Sequence, residues 1–248
     1  MSSEIDSDRD RAIPTAASQQ HVAPADVSQT LPFPVVGIGA SAGGIEAMNQ
    51  LLEAMPPDSG MALIIVQHLP PDHQSLLPEI FGRRTSMPVH QIEDGMQVEP
   101  NHVYAIRPGF TVTLEGATLR LGAPTELRGH RRPIDDFFRS LARVQREKAI
   151  AIVLSGVGTN GTAGAQAIKA AGGICIAQDP DTADFGGMPR SLIHAGYADQ
   201  VLPAGDIPRV LLRYIQHPYL DPAFRGQVPA ENTLQTEKEH LNQIFALL

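Results

Sequence analysis

The sequence predicts an α/β fold: a three-layer α/β/α sandwich on a mostly parallel sheet, with a β-hairpin insertion. Three observations predict it. Short apolar runs rich in β-branched residues recur at Val35–Ile38, Leu63–Val66, Val103–Ile106, Ala149–Leu154 and Ile174–Ala177. Stretches with helical spacing lie between most of them, at Ile45–Met55, Gln74–Arg83, Asp135–Glu147, Thr162–Ala171, Pro189–His194 and Ile207–Ile215. Continuous apolar strands separated by helices mark a parallel sheet covered on both faces. The third observation is a stretch of different period. Thr111–Leu114 and Thr118–Leu121 alternate about Glu115-Gly116, the pattern of a hairpin. There is no internal repeat.

Domain organisation follows from where charge and periodicity sit. Residues 1–33 carry Glu4, Asp6, Asp8, Asp10 and Asp26 against Arg9 and Arg11 and have no apolar period, which predicts a disordered tail. Residues 34–216 hold the alternating pattern and form one catalytic-size domain. Residues 217–248 combine a proline-bearing linker, 217–230, with the start of a helix in which Leu234, Leu241, Ile244, Phe245 and Leu248 share a face. That helix stops with its apolar face open, which predicts a following helical domain. The net charge of −8 is shared among these parts: residues 34–216 carry 15 basic and 18 acidic side chains.

Composition excludes several classes. A chain with 19 Lys+Arg against 27 Asp+Glu lacks the basic excess of a nucleic-acid binder. One cysteine rules out a disulfide framework and a Cys-rich zinc site, and fits a reducing compartment. No apolar run approaches the ~20 residues of a membrane span, and residues 1–11 lack the apolar core of a secretory signal. A cytoplasmic protein without membrane insertion is expected. With 22 Gly, 21 Pro and no Trp, the core is aliphatic and the turns are many.

In parallel sheets, ligands and reactive groups gather at the C-terminal ends of the strands. The first such end reads Gly37-Ile38-Gly39-Ala40-Ser41-Ala42-Gly43-Gly44. It contains G-x-S-x-G, the pattern of a nucleophile elbow, and it opens a helix whose amides and dipole favour a developing oxyanion. The same letters also fit a loose dinucleotide loop or a plain tight turn. The next strand end disfavours the nucleotide: it reads Ile64-Ile65-Val66-Gln67-His68, with no carboxylate for a ribose, and no Gly-Lys-Ser/Thr is present. Adjacent parallel strands lie ~4.8 Å apart, so Ser41 and His68 are within reach of each other as nucleophile and base. His68 could instead simply cap its strand. A third end, Leu154-Ser155-Gly156-Val157-Gly158-Thr159-Asn160-Gly161, offers an amide, Asn160, to orient the base. A fourth brings Asp179 and Asp181, for which turn chemistry about Pro180 is the better reading. Spacing alone does not choose between Asn160 and Asp179.

The remaining clusters are weaker. His68 and His73 lack metalloprotease spacing, so no metal is implied, and no cofactor is expected. Arg128, His130, Arg131 and Arg132 form a basic patch that either guides an acidic partner or solvates a loop. Cys175 sits inside an apolar run and reads as inert core.

Gly37–Gly44, Gln67-His68-Leu69-Pro70, Glu93-Asp94-Gly95, Arg132-Pro133 and Gly186-Gly187-Met188-Pro189-Arg190, in this order, resemble the catalytic domain of the chemotaxis protein-glutamate methylesterase (CheB-type) family. The resemblance covers essentially 34–216. It implies an α/β/α sandwich, hydrolysis of methyl-glutamate esters on chemoreceptor helices, and deamidation of receptor glutamines. It implies Ser41 as nucleophile and His68 as base, with Ala42, Gly43, Gly156, Val157 and Gly158 forming the oxyanion and substrate loops. Two departures stand out. Where the family carries an Asp, this chain has Asn160, which predicts a weakened esterase. Thirty-three residues before the domain are too few for the phosphorylated receiver domain of the best-known members, while Leu241–Leu248 resembles the opening helix of the receptor methyltransferase family. A methylesterase–methyltransferase fusion is therefore expected. The alternative is a catalytically silent receptor-binding or regulatory domain of a signalling fusion.

Overall fold

A computed structural model of the chain describes residues 30–67, 76–122 and 132–216. Seven strands form one all-parallel sheet in the order β10-β9-β8-β1-β2-β5-β3. They are β1 (Val35–Ala40), β2 (Ala62–Gln67), β3 (Val89–Gln91), β5 (Val103–Ala105), β8 (Ile150–Val153), β9 (Ile174–Gln178) and β10 (Gln200–Leu202). The helices are α1 (Gly44–Ala54), α2 (Leu77–Gly82), α3 (Pro133–Gln145), α4 (Thr162–Ala170), α5 (Gly187–His194) and α6 (Ile207–Ile215). The expected α/β sandwich is present.

Alternate residues of each central strand feed opposite cores, so its apolar run is unbroken. Along β1, Val36, Ile38 and Ala40 join one core with Leu51 of α1, Phe81 of α2 and Leu211 of α6. Val35 joins the other core with Phe138 and Leu141 of α3, Ile168 of α4 and Met188 of α5. The start of α3 is written locally: Pro133 supplies a preset first turn, and Asp135 and Asp136 complement the helix dipole.

The hairpin is present but differs in two respects. Its strands are β6 (Thr111–Glu115) and β7 (Thr118–Gly122), and Glu115 pairs with Thr118, so the turn is Gly116-Ala117 rather than Glu115-Gly116. Gly116 takes the positive φ of 57° that the turn needs. The hairpin also stands outside the main sheet. With β4 (Met96–Gln97) it makes a separate three-stranded sheet, anchored to α3 where the Leu114 N–H donates to Ser140 Oγ at 3.0 Å. Packing begins earlier than the boundary at 34 suggests, because Leu31 is buried in the core and Phe33 packs against it. The linker and helix of 217–248, most of the head, His68, His73 and the basic residues Arg128, His130 and Arg131 lie outside the described residues.

Candidate active site

The chain leaves β1 toward β2, β5 and β3, then returns to β8 and continues to β9 and β10 on the other side. The order reverses between β1 and β8, the position where open α/β sheets place their ligands. Ser41 follows β1 and Ser155 follows β8, and the two loops are tied across this crevice. The Ser41 N–H donates to the Ser155 carbonyl at 2.9 Å, and the Ser155 hydroxyl donates to the Ala42 carbonyl at 2.8 Å. The Ser155 N–H in turn donates to Gln178 Oε1 at 2.8 Å, at the end of β9. Ser155 thus pins the turn that carries Ser41.

A third loop closes the arrangement. The Phe185 N–H donates to Ser155 Oγ at 3.1 Å, the Gly156 N–H to the Phe185 carbonyl at 2.8 Å, and the Met188 N–H to the Gly156 carbonyl at 2.9 Å. Glycines are required where these loops meet. Gly43, with φ 70°, is the N-cap of α1, and a Cβ there would stand 2.7 Å from both Asp184 Cβ and Ser155 Oγ. A Cβ on Gly156 would lie 2.2 Å from Met188 Sδ and 3.0 Å from Ser41 Cβ. Among the described residues, the N–H groups of Ala42 and Val157 have no hydrogen-bond partner, and neither does the Ser41 hydroxyl. Ser41 is half-buried, and Gly158 lies at the exposed outer edge of its loop. Val157 and Phe185, exposed by 64% and 46%, form an apolar rim on two of the three loops.

Asn160 is buried in the loop after β8, next to a buried carboxylate. Its Oδ1 accepts from the Asp135 N–H at 3.2 Å, which fixes the amide's orientation and leaves Nδ2 buried without a partner among the described residues. Asp135 Oδ1 accepts from the N–H groups of Gly161 at 2.9 Å and Gly164 at 2.7 Å, while its Oδ2 faces the Arg132 guanidinium at 3.6 Å. Asp179 is absorbed in turn chemistry: its Oδ1 accepts from the Asp181 N–H at 3.0 Å. Ala40 pairs with Gln67, so β1 and β2 are neighbours up to their last residues, and His68 itself lies outside the described residues. Sequence reasoning missed Ser155, Gln178, Asp184 and Asp135 as parts of this site. Only the adjacency of Ser155 to the second glycine-rich loop hinted at any of them. Among the described residues no group of three His, Cys, Asp or Glu could hold a metal ion.

The family model for the CheB methylesterase domain matches residues 36–211. The chain belongs to the CheB methylesterase family. The CheB methylesterase catalytic domain of Thermotoga maritima, known from a crystal structure, superposes with a TM-score of 0.68 at 32% identity, covering 74% of this chain and all of that domain. The protein-glutamate methylesterase/protein-glutamine glutaminase of the same organism is 32% identical over 185 residues, 73% of this chain and 54% of its own length. A second such protein, from Pseudomonas aeruginosa, is 36% identical over 72% of this chain and 52% of its length. An uncharacterized 104.1 kDa protein of Rhodobacter capsulatus shares 47% identity over 126 residues, 51% of this chain but 13% of its own. This CheB-family chain thus spans about half the length of the methylesterases it matches.

Proposed function

We propose that the chain is a serine carboxyl-ester hydrolase that removes methyl groups from methyl-glutamate residues of chemoreceptor cytoplasmic helices, and deamidates receptor glutamines at the same site. One observation carries this reading: Ser41 stands on a clamped turn at the sheet's switch point, with two unpartnered amides, Ala42 and Val157, on the loops around it. The Ser41 oxygen bonds to the ester carbonyl carbon as its proton passes to His68. The oxyanion is held by the Ala42 and Val157 N–H groups, assisted by the start of α1. Collapse of the tetrahedral adduct expels methoxide, which takes the proton from His68 and leaves as methanol. Water, deprotonated by His68, then cleaves the acyl-enzyme to the glutamate carboxylate and free Ser41. With a glutamine substrate the leaving group is ammonia. The exposed Val157 and Phe185 offer a seat for the apolar side of a receptor helix.

Asn160 stands where the family carries its acid, and its amide is turned the wrong way for that task. With Oδ1 committed to the Asp135 N–H, the free end is the Nδ2 donor. A donor facing an imidazole stabilises the tautomer that cannot accept the serine proton, and the Asp-to-Asn change in a serine protease lowers kcat by ~10⁴. Weak activity follows, with Asn160→Asp restoring an acceptor. The test is methanol release from a methylated receptor fragment. Wild type should release methanol slowly, Asn160→Asp at least ~10-fold faster, and Ser41→Ala at least ~10-fold more slowly than wild type. Labelling by a fluorophosphonate probe that does not depend on Ser41, or no labelling of the folded chain, would sink the hydrolase and favour a silent receptor-binding domain.

The surroundings of the reaction are part of this proposal. The single cysteine and the absence, among the described residues, of any helix long and apolar enough to cross a membrane support a cytoplasmic setting. The receptor-methyltransferase resemblance of Leu241–Leu248 supports a covalently linked methyltransferase domain. The mass of the protein isolated from its own cells tests that linkage.

A further inference from the structure

At the end of the sheet opposite Ser41, three helices leave a groove of about 850 Å³ between them. Its walls are the C-terminal turn of α1, the segment following α2, and α6 with the turn before it. Leu212 contributes apolar surface over the buried Leu52, and four arginines line the groove: Arg83, Arg84, Arg209 and Arg213. Among the described residues the only carboxylate in the lining is Glu53, which pairs with Arg84 at 2.7 Å. Arg83, Arg209 and Arg213 have no ion-pair partner among the described residues. Arg209 and Arg213 are both exposed and four residues apart on α6, a like-charge spacing that destabilises a helix unless an anion lies between them. Four of the chain's 19 Lys+Arg thus converge in a protein of net charge −8.

Thr30, the first described residue, lies at the same end of the molecule. β1 runs toward Ser41, so its first residue, and Thr30–Pro34 before it, lie at the end where α1 terminates. Glu4, Asp6, Asp8 and Asp10 precede Thr30 by 20 residues or more, opposed locally only by Arg9 and Arg11. Twenty residues of chain can span at most ~70 Å, more than the ~16 Å length of an 11-residue helix such as α1.

We propose that the arginine groove is a docking site for a carboxylate-rich polypeptide segment, and that its occupant is this chain's own head, Glu4–Asp10. Docking there holds the head away from the Ser41 crevice, so the head occupies the far end without covering the catalytic loops.

The test uses the full chain with Ser7→Cys carrying a nitroxide. Cys175 is fully buried, so the label goes to position 7 alone. In the ¹⁵N spectrum the backbone amides of Arg83, Arg84, Arg209 and Arg213 should lose at least half their intensity, while those of Gly43 and Val157 keep theirs. The effect should vanish at about 1 M salt, where the Debye length is ~3 Å. It should also vanish on neutralising the head (Glu4→Gln with Asp6→Asn, Asp8→Asn and Asp10→Asn) and in Arg209→Glu with Arg213→Glu. Combining that reversal with lysines at the four acidic positions should restore it. Equal broadening at both ends of the sheet, or broadening that survives neutralisation, overturns the proposal. So does equal broadening when spin-labelled chain is mixed with unlabelled ¹⁵N chain, since the head would then come from a second copy.

Discussion

Asp135 shows how much a single buried side chain organises. Its carboxylate accepts from two amides at the start of α4 while its own N–H orients the Asn160 amide. Asp135→Ala strands the Gly161 and Gly164 N–H groups, each at about 1–3 kcal/mol. The expected loss of about 3 kcal/mol lowers Tm by about 6–12 °C for a domain of this size, measured by calorimetry. A drop under 2 °C would mean that water replaces the carboxylate without cost. Gly43 is a second such point, because its φ of 70° and the closeness of Asp184 and Ser155 leave no room for a methyl group. Gly43→Ala should therefore displace the Ser41 turn, lowering the rate of fluorophosphonate labelling at least ~10-fold while Ser41 itself is untouched.

Between elements, a tight seam joins β1 to α3. A Cβ on Gly39 would stand 2.4 Å from Ile134 Cγ2, and one on Gly37 would stand 2.8 Å from the Phe137 ring. The strand carrying the Ser41 loop can lie this close to α3 only because it presents no side chain there. Gly39→Ala is expected to destabilise by about 1–3 kcal/mol through overpacking, and Ile134→Ala by about 2–5 kcal/mol through a cavity. In the double variant the new methyl occupies part of the vacated space, so the two losses should fall short of their sum by about 0.5–3 kcal/mol. Urea denaturation of the four proteins checks this, and strict additivity would show that β1 and α3 relax independently.

Across the whole molecule, one buried thiol couples stability to pH. Burial, reinforced by the nearby Asp199 carboxylate and opposed by Lys169, pushes the Cys175 thiol well above its ordinary range. In the unfolded chain the same thiol ionises near pH ~8.5, so above that pH the unfolded state binds fewer protons than the native state. The Cys175 contribution is complete below pH ~8.5 and is lost as pH rises, at up to about 1.4 kcal/mol per pH unit. Tyr104, raised mainly by burial, acts in the same direction at higher pH. Denaturant titrations at pH 7, 8.5 and 9.5 should show wild type losing stability more steeply than Cys175→Ala above pH ~8.5. Parallel slopes would remove Cys175 from the account.

Element types, their order and the position of Ser41 at a strand end were legible from the chain, because periodicity and turn chemistry act between near neighbours. Five strands of the main sheet and six helices are read from such patterns, and so are the buried setting of Cys175 and the turn role of Asp179. The edge and minor strands β3, β4 and β10 escaped, since they are only partly buried and carry no continuous apolar run, whereas the equally short β5 is buried throughout. The hairpin's turn slipped by one residue because Glu115 and Ala117 serve equally well beside Gly116. What joins the site lies beyond any local pattern. Ser155 reaches Ala42 across 113 residues, Gln178 reaches Ser155 across 23, and Asp135 meets Gly161 across 26. The orientation of the Asn160 amide depends on one of these distant partners, and the arginine groove exists only where α1, α2 and α6 converge. Local chemistry wrote the parts and marked Ser41 as the candidate nucleophile. The pairing of distant buried polar groups, each needing a partner once removed from water, decided how the parts face one another.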